Sequence, residues 1–247
     1  MLPLTNLLKG LRLGGMEQSL SVIEQQAISE TWSYRDFLAR LCEQELAKRY
    51  QTRVNTWRAE SELNVAKNLE ALDLSQYQPS VSHQIRQLSE DVSWAREAHN
   101  VILFGASGLG KSHIANALGL KLIEQGIRIK SYSALKLVQK LVQAKQQLEL
   151  SNLMSKLDRY AVIVIDDIGY VKKTESETSV LFELIAHRYE SGSLIITSNQ
   201  NFSEWDSIFP DSMMSVAAVD RLIHHAKVIS IQGESYRAKH QHTAIKT

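Results

Sequence analysis

The sequence of 247 residues has a single cysteine, Cys42, and only three prolines. One cysteine excludes a disulfide within the chain and a cysteine-rich zinc cluster. No apolar run approaches the ~18 residues that a membrane-spanning helix needs, and the first residues have neither the apolar segment nor the cleavage site of a secretory signal. Lysine and arginine total 28 against 27 acids, which excludes a polybasic or polyacidic chain. A cytoplasmic location without membrane contact is therefore expected.

Glycine is missing from residues 16–104, and this stretch has one proline, Pro79. Because these two residue types interrupt helices, their scarcity predicts a helical block. Within it, apolar residues recur at every fourth position: Leu38, Cys42, Leu46, Tyr50 and Val54. This spacing predicts an amphipathic helix from about 34 to about 58 with one apolar face. Two further helices are expected at about 61–72 and about 85–96.

From Asn100 onwards, short β-rich runs alternate with helical stretches. The runs are VILFG (101–105), IRIKSY (127–132), AVIVID (161–166), SLIITSN (193–199) and KVISIQ (227–232). The helical candidates are 111–124, 134–148, 176–190 and 213–225. Strands that alternate with helices of this length predict an α/β fold, a five-stranded parallel sheet with helices on both faces. The expected organisation is a helical domain at 1–98 followed by an α/β domain at 99–247.

The strongest motif follows the first predicted strand and opens the first helix of the α/β domain. It is GxxxxGK[ST], formed by Gly105, Ala106, Ser107, Gly108, Leu109, Gly110, Lys111 and Ser112. Glycines let the backbone curl around phosphates with its N–H groups pointing inward, and the helix amino terminus adds its dipole. Lys111 supplies a positive charge to the outer phosphates, and the Ser112 hydroxyl can ligate Mg²⁺. The motif in this position predicts a nucleoside triphosphate site.

Two later predicted strands end in polar residues that complement such a site. The apolar run VIVID ends in Asp166 and is followed by Asp167, which fits a Walker B strand. Asp166 would hold the metal through water, and Asp167 would orient the attacking water. Asn199, at the end of IITSN, could contact the γ-phosphate or position that water, although Ser-Asn also commonly starts a turn.

Two arginines near the carboxyl terminus, Arg221 and Arg237, are candidates for reaching phosphate. One would do so within the subunit and the other from a neighbouring copy. Such an arrangement would make hydrolysis depend on assembly. The alternative for each arginine is an ordinary surface or packing role.

A DNA-binding surface is less evident, since neither half of the chain is strongly basic. The candidates are Lys136, Lys140, Lys172 and Lys173. Helical spacing places Lys136 and Lys140 on one face, which could equally be an ordinary solvated face. Non-specific binding would then require oligomerisation to multiply the positive charge.

The sequence resembles the IstB-like transposition helper ATPases in six segments. In chain order these are GASGLGKSHIANAL, VIVIDDIGY, IITSN, FSEW, DRLIHHA and GESYR. That family belongs to the AAA+ class of P-loop NTPases and is related to the DnaC helicase loaders. The segment YRDFLARLCEQELAKRYQTRV is similar to the family's helical amino-terminal domain. The resemblance therefore covers nearly the whole chain.

The resemblance implies a role for each site residue. The P-loop with Lys111 and His113 would bind ATP, and Ser112 with Asp166 would hold Mg²⁺. The remaining roles are Asp167 in Walker B, Asn199 as sensor 1, Arg221 as the arginine finger and Arg237 as the sensor 2 arginine. Asp167 stands where the AAA+ class usually has glutamate, whose side chain is one methylene longer. Hydrolysis is therefore expected to be slow and to be stimulated by DNA or by a partner.

The resemblance also implies partners. Such proteins form homo-oligomers on duplex DNA when bound to ATP, with little sequence preference. They present the DNA to a cognate transposase, which stimulates hydrolysis and disassembly, and the helical domain would contribute to both contacts. A DnaC-type loader of a replicative helicase is the alternative, since its ATPase residues would be nearly the same. A small-molecule kinase is a third hypothesis, disfavoured because the sequence shows no obvious acceptor-binding region.

Overall fold

The computed structural model describes residues 3–170, 174–200 and 212–233. Helices form the amino-terminal part of the chain, and a parallel sheet with flanking helices forms the rest. Within the described ranges, no helix combines the length and the apolar character that crossing a membrane would require.

The chain divides into two compact units, Met1–Trp57 and Arg58–Thr247. The sequence predicts a domain boundary at 98, whereas residues 58–98 fall within the second unit. They bond to the α/β elements, as the 2.8 Å hydrogen bond from the Ser131 N–H to the Ser61 carbonyl shows. The α/β unit therefore begins earlier than glycine and proline content suggests.

Three helices build the unit Met1–Trp57. They are α1 (Leu4–Gly10), α2 (Gly14–Ser29) and α3, which runs from Tyr34 to Glu60. The charged side chain of Glu45 is buried where α2 meets α3. It accepts hydrogen bonds from the N–H groups of Gly15 (2.6 Å) and Met16 (3.2 Å) and from Nε of Arg49 (2.7 Å). A Cβ on Gly15 would lie 2.6 Å from the Glu45 Cα, so this contact requires glycine.

The apolar face predicted for α3 is only partly covered. Leu41, Glu45 and Val54 are the buried residues of this helix, whereas Leu38, Cys42, Leu46 and Tyr50 are exposed. A spacing of four residues moves about 40° around a helix at each step, because a turn has 3.6 residues. The predicted stripe therefore winds around α3, and α2 covers the neighbouring line through Leu41 and Glu45.

The unit Arg58–Thr247 holds the sheet. Its first helices are α4 (Pro79–Glu90) and α5 (Ser93–Arg96). The strands are β1 (Asn100–Phe104), β2 (Ile129–Ser133), β3 (Val162–Asp166), β4 (Ser193–Ser198) and β5 (Ala226–Ser230). Between them lie α6 (Lys111–Glu124), α7 (Ala134–Gln146), α8 (Leu150–Leu157), α9 (Glu175–Arg188) and α10 (Ser212–Ile223). The structure adds α8 to the helices expected from the sequence.

The five strands run parallel in the order β2-β3-β4-β1-β5, which confirms the predicted sheet. Every residue of β1 and β4 is buried, because helices cover both faces of the sheet. One core cluster includes Ile102 of β1, Leu137 of α7 and Leu184 of α9. The carboxyl ends of β3, β4 and β1 are neighbours at one edge, and the predicted site residues follow these ends.

The prediction of a helix at 61–72 is wrong, since this segment forms turns. Glu62 has a φ of +61°. The Asn64 side chain accepts from the Ala66 N–H (3.0 Å), and Asn68 Oδ1 accepts from the Ala71 N–H (2.8 Å). Side chains that bond the nearby backbone compete with helical hydrogen bonds. The helix predicted at 85–96 is likewise interrupted, because α4 ends before Asp91.

Candidate functional site

The loop between β1 and α6 has a backbone that only glycine adopts without strain. Gly108 and Gly110 have φ values of +84° and +83°. A Cβ on Gly110 would collide with Oη of Tyr77, and a Cβ on Gly105 would collide with the carbonyl of Ile231. Glycine is therefore required here for its conformation and for the close approach of neighbouring segments.

Lys111, the first residue of α6, is buried beneath this loop, with 7% of its surface exposed. Its Nζ donates to the carbonyls of Gly105 (2.7 Å) and Ala106 (2.8 Å). These bonds hold the ammonium group against the loop whose N–H groups can bind phosphate. Phosphate oxygens can replace the two carbonyls as partners of the charge.

Ser112 and Asp166 are joined directly across the site. Ser112 Oγ donates to Asp166 Oδ1 at 2.7 Å. The hydroxyl can ligate Mg²⁺ directly, and the carboxylate beside it can hold the metal through a bound water.

The sequence does not single out Thr197, yet its hydroxyl connects the two acidic residues. It donates to Asp166 Oδ1 (2.6 Å) and accepts from the backbone N–H of Asp167 (2.8 Å). Asp167 has a φ of +67°, and a left-handed conformation costs a non-glycine residue about 1–3 kcal/mol. The bond to Thr197 stabilises this turn. The signal that could have identified Thr197 is its place in a strand that pairs with the Asp166 strand.

Asn199 follows β4 and lies beside the turn that carries Asp167. Its Oδ1 is so close to Gly169 that a Cβ on that glycine would collide with it. Asn199, Asp167 and Thr197 line the same cavity as the phosphate loop. The structure thus brings together the predicted residues of the P-loop, Walker B and sensor 1.

This cavity has a volume of about 440 Å³. Its further lining residues, which the sequence does not indicate, are Lys67, Ala71, Leu72, Asp73, Gln76, Tyr77, Ile231, Gln232 and Gly233. They combine apolar side chains with polar groups at the edges, as nucleoside pockets do. Burial raises the pKa of Tyr77, so its hydroxyl stays protonated and can donate. The Ser75 and Gln76 side chains lower the pKa of Asp73, which stays ionised.

Asn116 of α6 anchors the wall formed by residues 64–77. Its Oδ1 accepts from the Asn64 N–H (2.9 Å), and its Nδ2 donates to the carbonyls of Asn64 (2.7 Å) and Lys67 (3.1 Å). His113, predicted to bind the nucleotide, lines the cavity, and its Nε2 lies 2.9 Å from the Asn68 carbonyl. The wall is therefore positioned by α6, the helix that follows the phosphate loop.

Among the described residues that line this cavity there is no arginine, so neither of the two predicted arginines is found there. Arg221 is half-buried and packs within its own chain. Its Nη1 donates to the Ala217 carbonyl (3.0 Å), and its guanidinium carbon lies 5.4 Å from the centre of the Phe182 ring. Its role as an arginine finger remains a prediction. Arg237 lies outside the described residues.

The predicted DNA-binding lysines also differ in their surroundings. Lys136 Nζ donates to Glu62 (2.7 Å), and this bond is the largest cause that lowers the pKa of Glu62. Lys140 Nζ lies 5.6 Å from the centre of the Tyr132 ring. Lys172 and Lys173 lie outside the described residues. Contact of these four lysines with DNA remains a prediction.

A family model and individual relatives both match nearly the whole chain, and all of them are described as ATP-binding proteins. A family described as IstB-like ATP binding protein matches residues 6–244. An insertion sequence ATP-binding protein of Sinorhizobium fredii is 41% identical over 233 residues, covering 94% of this chain and 78% of the relative. The IS21 ATP-binding protein of Pseudomonas aeruginosa is 33% identical, covering 96% of this chain and 89% of the relative.

Solved structures share the fold at low identity. AMPPCP-bound DnaA from Aquifex aeolicus has a TM-score of 0.58 at 17% identity. That alignment covers 75% of this chain and 56% of DnaA. The DnaC helicase loader has a TM-score of 0.53 at 20% identity, covering 65% of this chain and 96% of the loader. At such identities the likeness shows the fold alone.

Proposed function

This chain belongs to the IstB-like ATP-binding protein family, and from this premise we propose that it is the ATP-dependent, DNA-binding helper of a transposase. ATP binding drives its oligomerisation on duplex DNA, and ATP hydrolysis drives disassembly. The observation that carries the proposal is the 2.7 Å hydrogen bond from Ser112 to Asp166 beside the Lys111 loop. It joins the two motifs with which P-loop ATPases bind and cleave the nucleotide.

The phosphate loop and Lys111 bind the triphosphate. The backbone N–H groups of the loop donate to phosphate oxygens, and the Lys111 ammonium exchanges its bonds to Gly105 and Ala106 for bonds to the outer phosphates. Ser112 and Asp166 hold Mg²⁺, which neutralises phosphate charge when it is bound. The wall at 64–77, whose Tyr77 lies against Gly110 of the loop, lines the same cavity and encloses the nucleoside.

Asp167 and Asn199 act on the side of the γ-phosphate from which water attacks. The Asp167 carboxylate accepts a hydrogen bond from the attacking water and orients it, and the Asn199 amide holds the water or a phosphate oxygen. The short side chain of Asp167 makes the geometry less favourable than glutamate would, so basal hydrolysis is slow. DNA or the transposase raises the rate by improving this geometry.

Hydrolysis depends on assembly through the two arginines. Arg221 reaches the γ-phosphate of a neighbouring copy as the arginine finger, and Arg237 contacts the nucleotide of its own subunit. In the isolated chain, the stacking of Arg221 on Phe182 keeps its guanidinium within the protein. The arginine would have to leave this contact when a neighbour binds.

A DnaC-type helicase loader would share all of these ATPase residues. The relatives at 41% and 33% identity are described as insertion sequence ATP-binding proteins, which favours transposition. The partner proteins distinguish the two functions, since a helper binds a transposase and a loader binds a hexameric helicase. Release of phosphate to water, without a phosphorylated acceptor, distinguishes both from a small-molecule kinase.

Sedimentation of the protein with ATP, Mg²⁺ and random-sequence duplex DNA tests the proposal. Lys111→Ala is the test variant, and Lys156→Ala, at an exposed position of α8, is the matched control. We expect the parent and Lys156→Ala to form large complexes on DNA. Lys111→Ala should lose both nucleotide binding and assembly. The proposal is wrong if the parent keeps its nucleotide-free size, or if Lys111→Ala assembles on DNA as the parent does.

A further inference from the structure

A cluster of side chains that can ligate a metal lies at the edge of the sheet opposite the phosphate loop. It consists of Glu190, in the turn after α9, and of His224 and His225, in the turn between α10 and β5. One ligand atom of each side chain lies within 4.8 Å of those of the other two. Within residues 3–170, 174–200 and 212–233, no other trio of histidine, cysteine or carboxylate side chains comes as close. We propose that this trio, hereafter the His–Glu cluster, is a binding site for Zn²⁺.

The sheet brings the cluster together, although Glu190 stands far from the two histidines in the sequence. Glu190 precedes β4 and His225 precedes β5, and β1 lies between these two strands. Asn100, the buried first residue of β1, bonds to both sides. Its N–H donates to the His225 carbonyl (2.7 Å), and its Oδ1 accepts from the Leu194 N–H of β4 (2.9 Å). The backbone beneath the cluster is therefore fixed before a metal arrives.

Two neighbouring rings orient the histidines of the cluster. Nδ1 of His224 lies 2.9 Å from Oη of Tyr189. When Nδ1 carries the proton and donates to this hydroxyl, Nε2 of His224 has its lone pair free for a metal, an arrangement typical of metal-ligating histidines. The His99 ring stacks on that of His225, with 5.3 Å between the ring centres and 18° between the planes. The ring centres of His224 and His225 are 4.1 Å apart, so both imidazoles face one region.

The ligand types select Zn²⁺ among common divalent ions. Two imidazoles with one carboxylate suit zinc, whereas Mg²⁺ and Ca²⁺ prefer oxygen ligands alone. Adjacent ligand atoms in a tetrahedral Zn²⁺ shell lie about 3.3 Å apart, since the Zn–N and Zn–O distances are about 2.0–2.1 Å. The three ligand atoms therefore approach one another by at most about 1.5 Å on binding. All three residues are exposed, so rotation of their side chains supplies this movement.

The backbone around the cluster also favours a cation. The cluster follows the carboxyl ends of two helices, since α9 ends at Arg188 and α10 ends at Ile223. The carboxyl end of a helix carries the negative end of its dipole. A bound Zn²⁺ would tie the turn after α9 to the turn before β5.

This zinc site is separate from the proposed Mg²⁺ site. Ser112 and Asp166 lie at the carboxyl ends of the strands, whereas the His–Glu cluster lies at the amino ends. The length of β1, roughly 13 Å, separates the two edges. The inference therefore stands independently of the proposed function.

Titration of the untagged, full-length protein with Zn²⁺ in excess Mg²⁺, without nucleotide, tests the site. We expect one Zn²⁺ per chain at the cluster. Loss of one ligand, in His224→Ala or in Glu190→Gln, should weaken this binding at least about 100-fold. The matched controls are His83→Ala and Glu90→Gln, at exposed positions of α4, and both should bind Zn²⁺ as the parent does. The five proteins should bind ATP equally, so a failure of zinc binding leaves the nucleotide site untouched.

Tyr189→Phe tests the orientation of His224 without removing a ligand. It keeps the ring but removes the hydroxyl beside Nδ1, and it should weaken Zn²⁺ binding about 10- to 100-fold. In the parent, Zn²⁺ at about 100 times its Kd should raise the Tm by about 5–10 °C, because the metal binds the folded chain alone. The same concentration should leave the Tm of His224→Ala unchanged.

Three results would overturn the proposal. The first is zinc binding in His224→Ala and Glu190→Gln that equals binding in the parent. The second is loss of binding in Cys42→Ser or in His240→Ala/His242→Ala, which would assign the zinc to those side chains instead. The third is displacement of Zn²⁺ by millimolar Mg²⁺, which a site with two imidazole ligands resists.

Discussion

Thr197 and Asp166 share a hydrogen bond of 2.6 Å from hydroxyl to carboxylate. The same hydroxyl accepts from the Asp167 N–H at 2.8 Å, so one buried threonine holds both Walker B residues. Asp166 belongs to β3 and Thr197 to β4, which are neighbours in the sheet. The position of Asp167, which we propose orients the attacking water, therefore depends on the adjacent strand.

We expect Thr197→Val to slow ATP hydrolysis about 10- to 100-fold, with little change in the KM for ATP. The change keeps the shape of the side chain but leaves the Asp167 N–H without its partner, so the carboxylate loses its position. Phosphate release under saturating ATP measures the effect. Thr197→Ser keeps the hydroxyl and should retain most activity. Equal rates for Thr197→Val and the parent would show that this bond does not position Asp167.

We expect Gly110→Ala to weaken ATP binding at least about tenfold. A residue other than glycine at a φ of +83° costs about 1–2 kcal/mol, and its Cβ would collide with Oη of Tyr77. Adding Tyr77→Phe removes the colliding atom and should restore part of the affinity, as a double-mutant cycle of nucleotide titrations would show. Gly10→Ala is the control, since nothing lies within 4 Å of its Cβ position. Additive effects of the two changes would contradict the collision.

We expect Asn116→Ala to reduce both stability and ATP affinity. It removes three hydrogen bonds to the turn at 64–67, which corresponds to about 2–4 kcal/mol in the free energy of unfolding. The Tm should fall by about 5–10 °C in the absence of nucleotide. Asn152→Ala, at an exposed position of α8, is the matched control. A variant that loses stability but binds ATP normally would show that the wall does not contribute to the nucleotide pocket.

We expect the contribution of Glu45 to stability to disappear in acid. The side chain of Arg49, followed by the N–H groups of Gly15 and Met16, lowers the pKa of Glu45 in the folded chain. Its contribution is therefore complete above its ordinary pKa of about 4.3 and is lost as the pH falls through the lower, folded value. The difference in Tm between the parent and Glu45→Gln should be largest near pH 7. It should shrink as the pH falls below about 4.3.

Glu43→Gln is the control for this experiment, since Glu43 is exposed and pairs with Arg40 on the surface. Its difference in Tm from the parent should be small at every pH. A Glu45→Gln difference that persists unchanged at low pH would show that the carboxylate charge does not hold α2 against α3.

Much of the fold was predictable because its signals are local. The five strands are short apolar runs, and α6 begins at Lys111 as the GxxxxGK[ST] motif predicts. The phosphate loop needs only consecutive residues, so Gly105 to Ser112 could be recognised without any knowledge of the surrounding fold. The positions of Asp166 and Asn199 beside the phosphate loop were predictable, because parallel strands bring their carboxyl ends to one edge of a sheet.

The amino-acid order by itself determined the strands, the α/β helices and the phosphate loop, because backbone conformation responds to neighbouring residues and to their periodicity. Only the tertiary structure decided that Tyr77 lies against Gly110, since Asn116 holds that wall through contacts far apart in sequence. It also decided that Leu38 and Leu46 stay uncovered. Periodicity marks an apolar stripe, but packing geometry selects which part of the stripe a neighbouring helix buries.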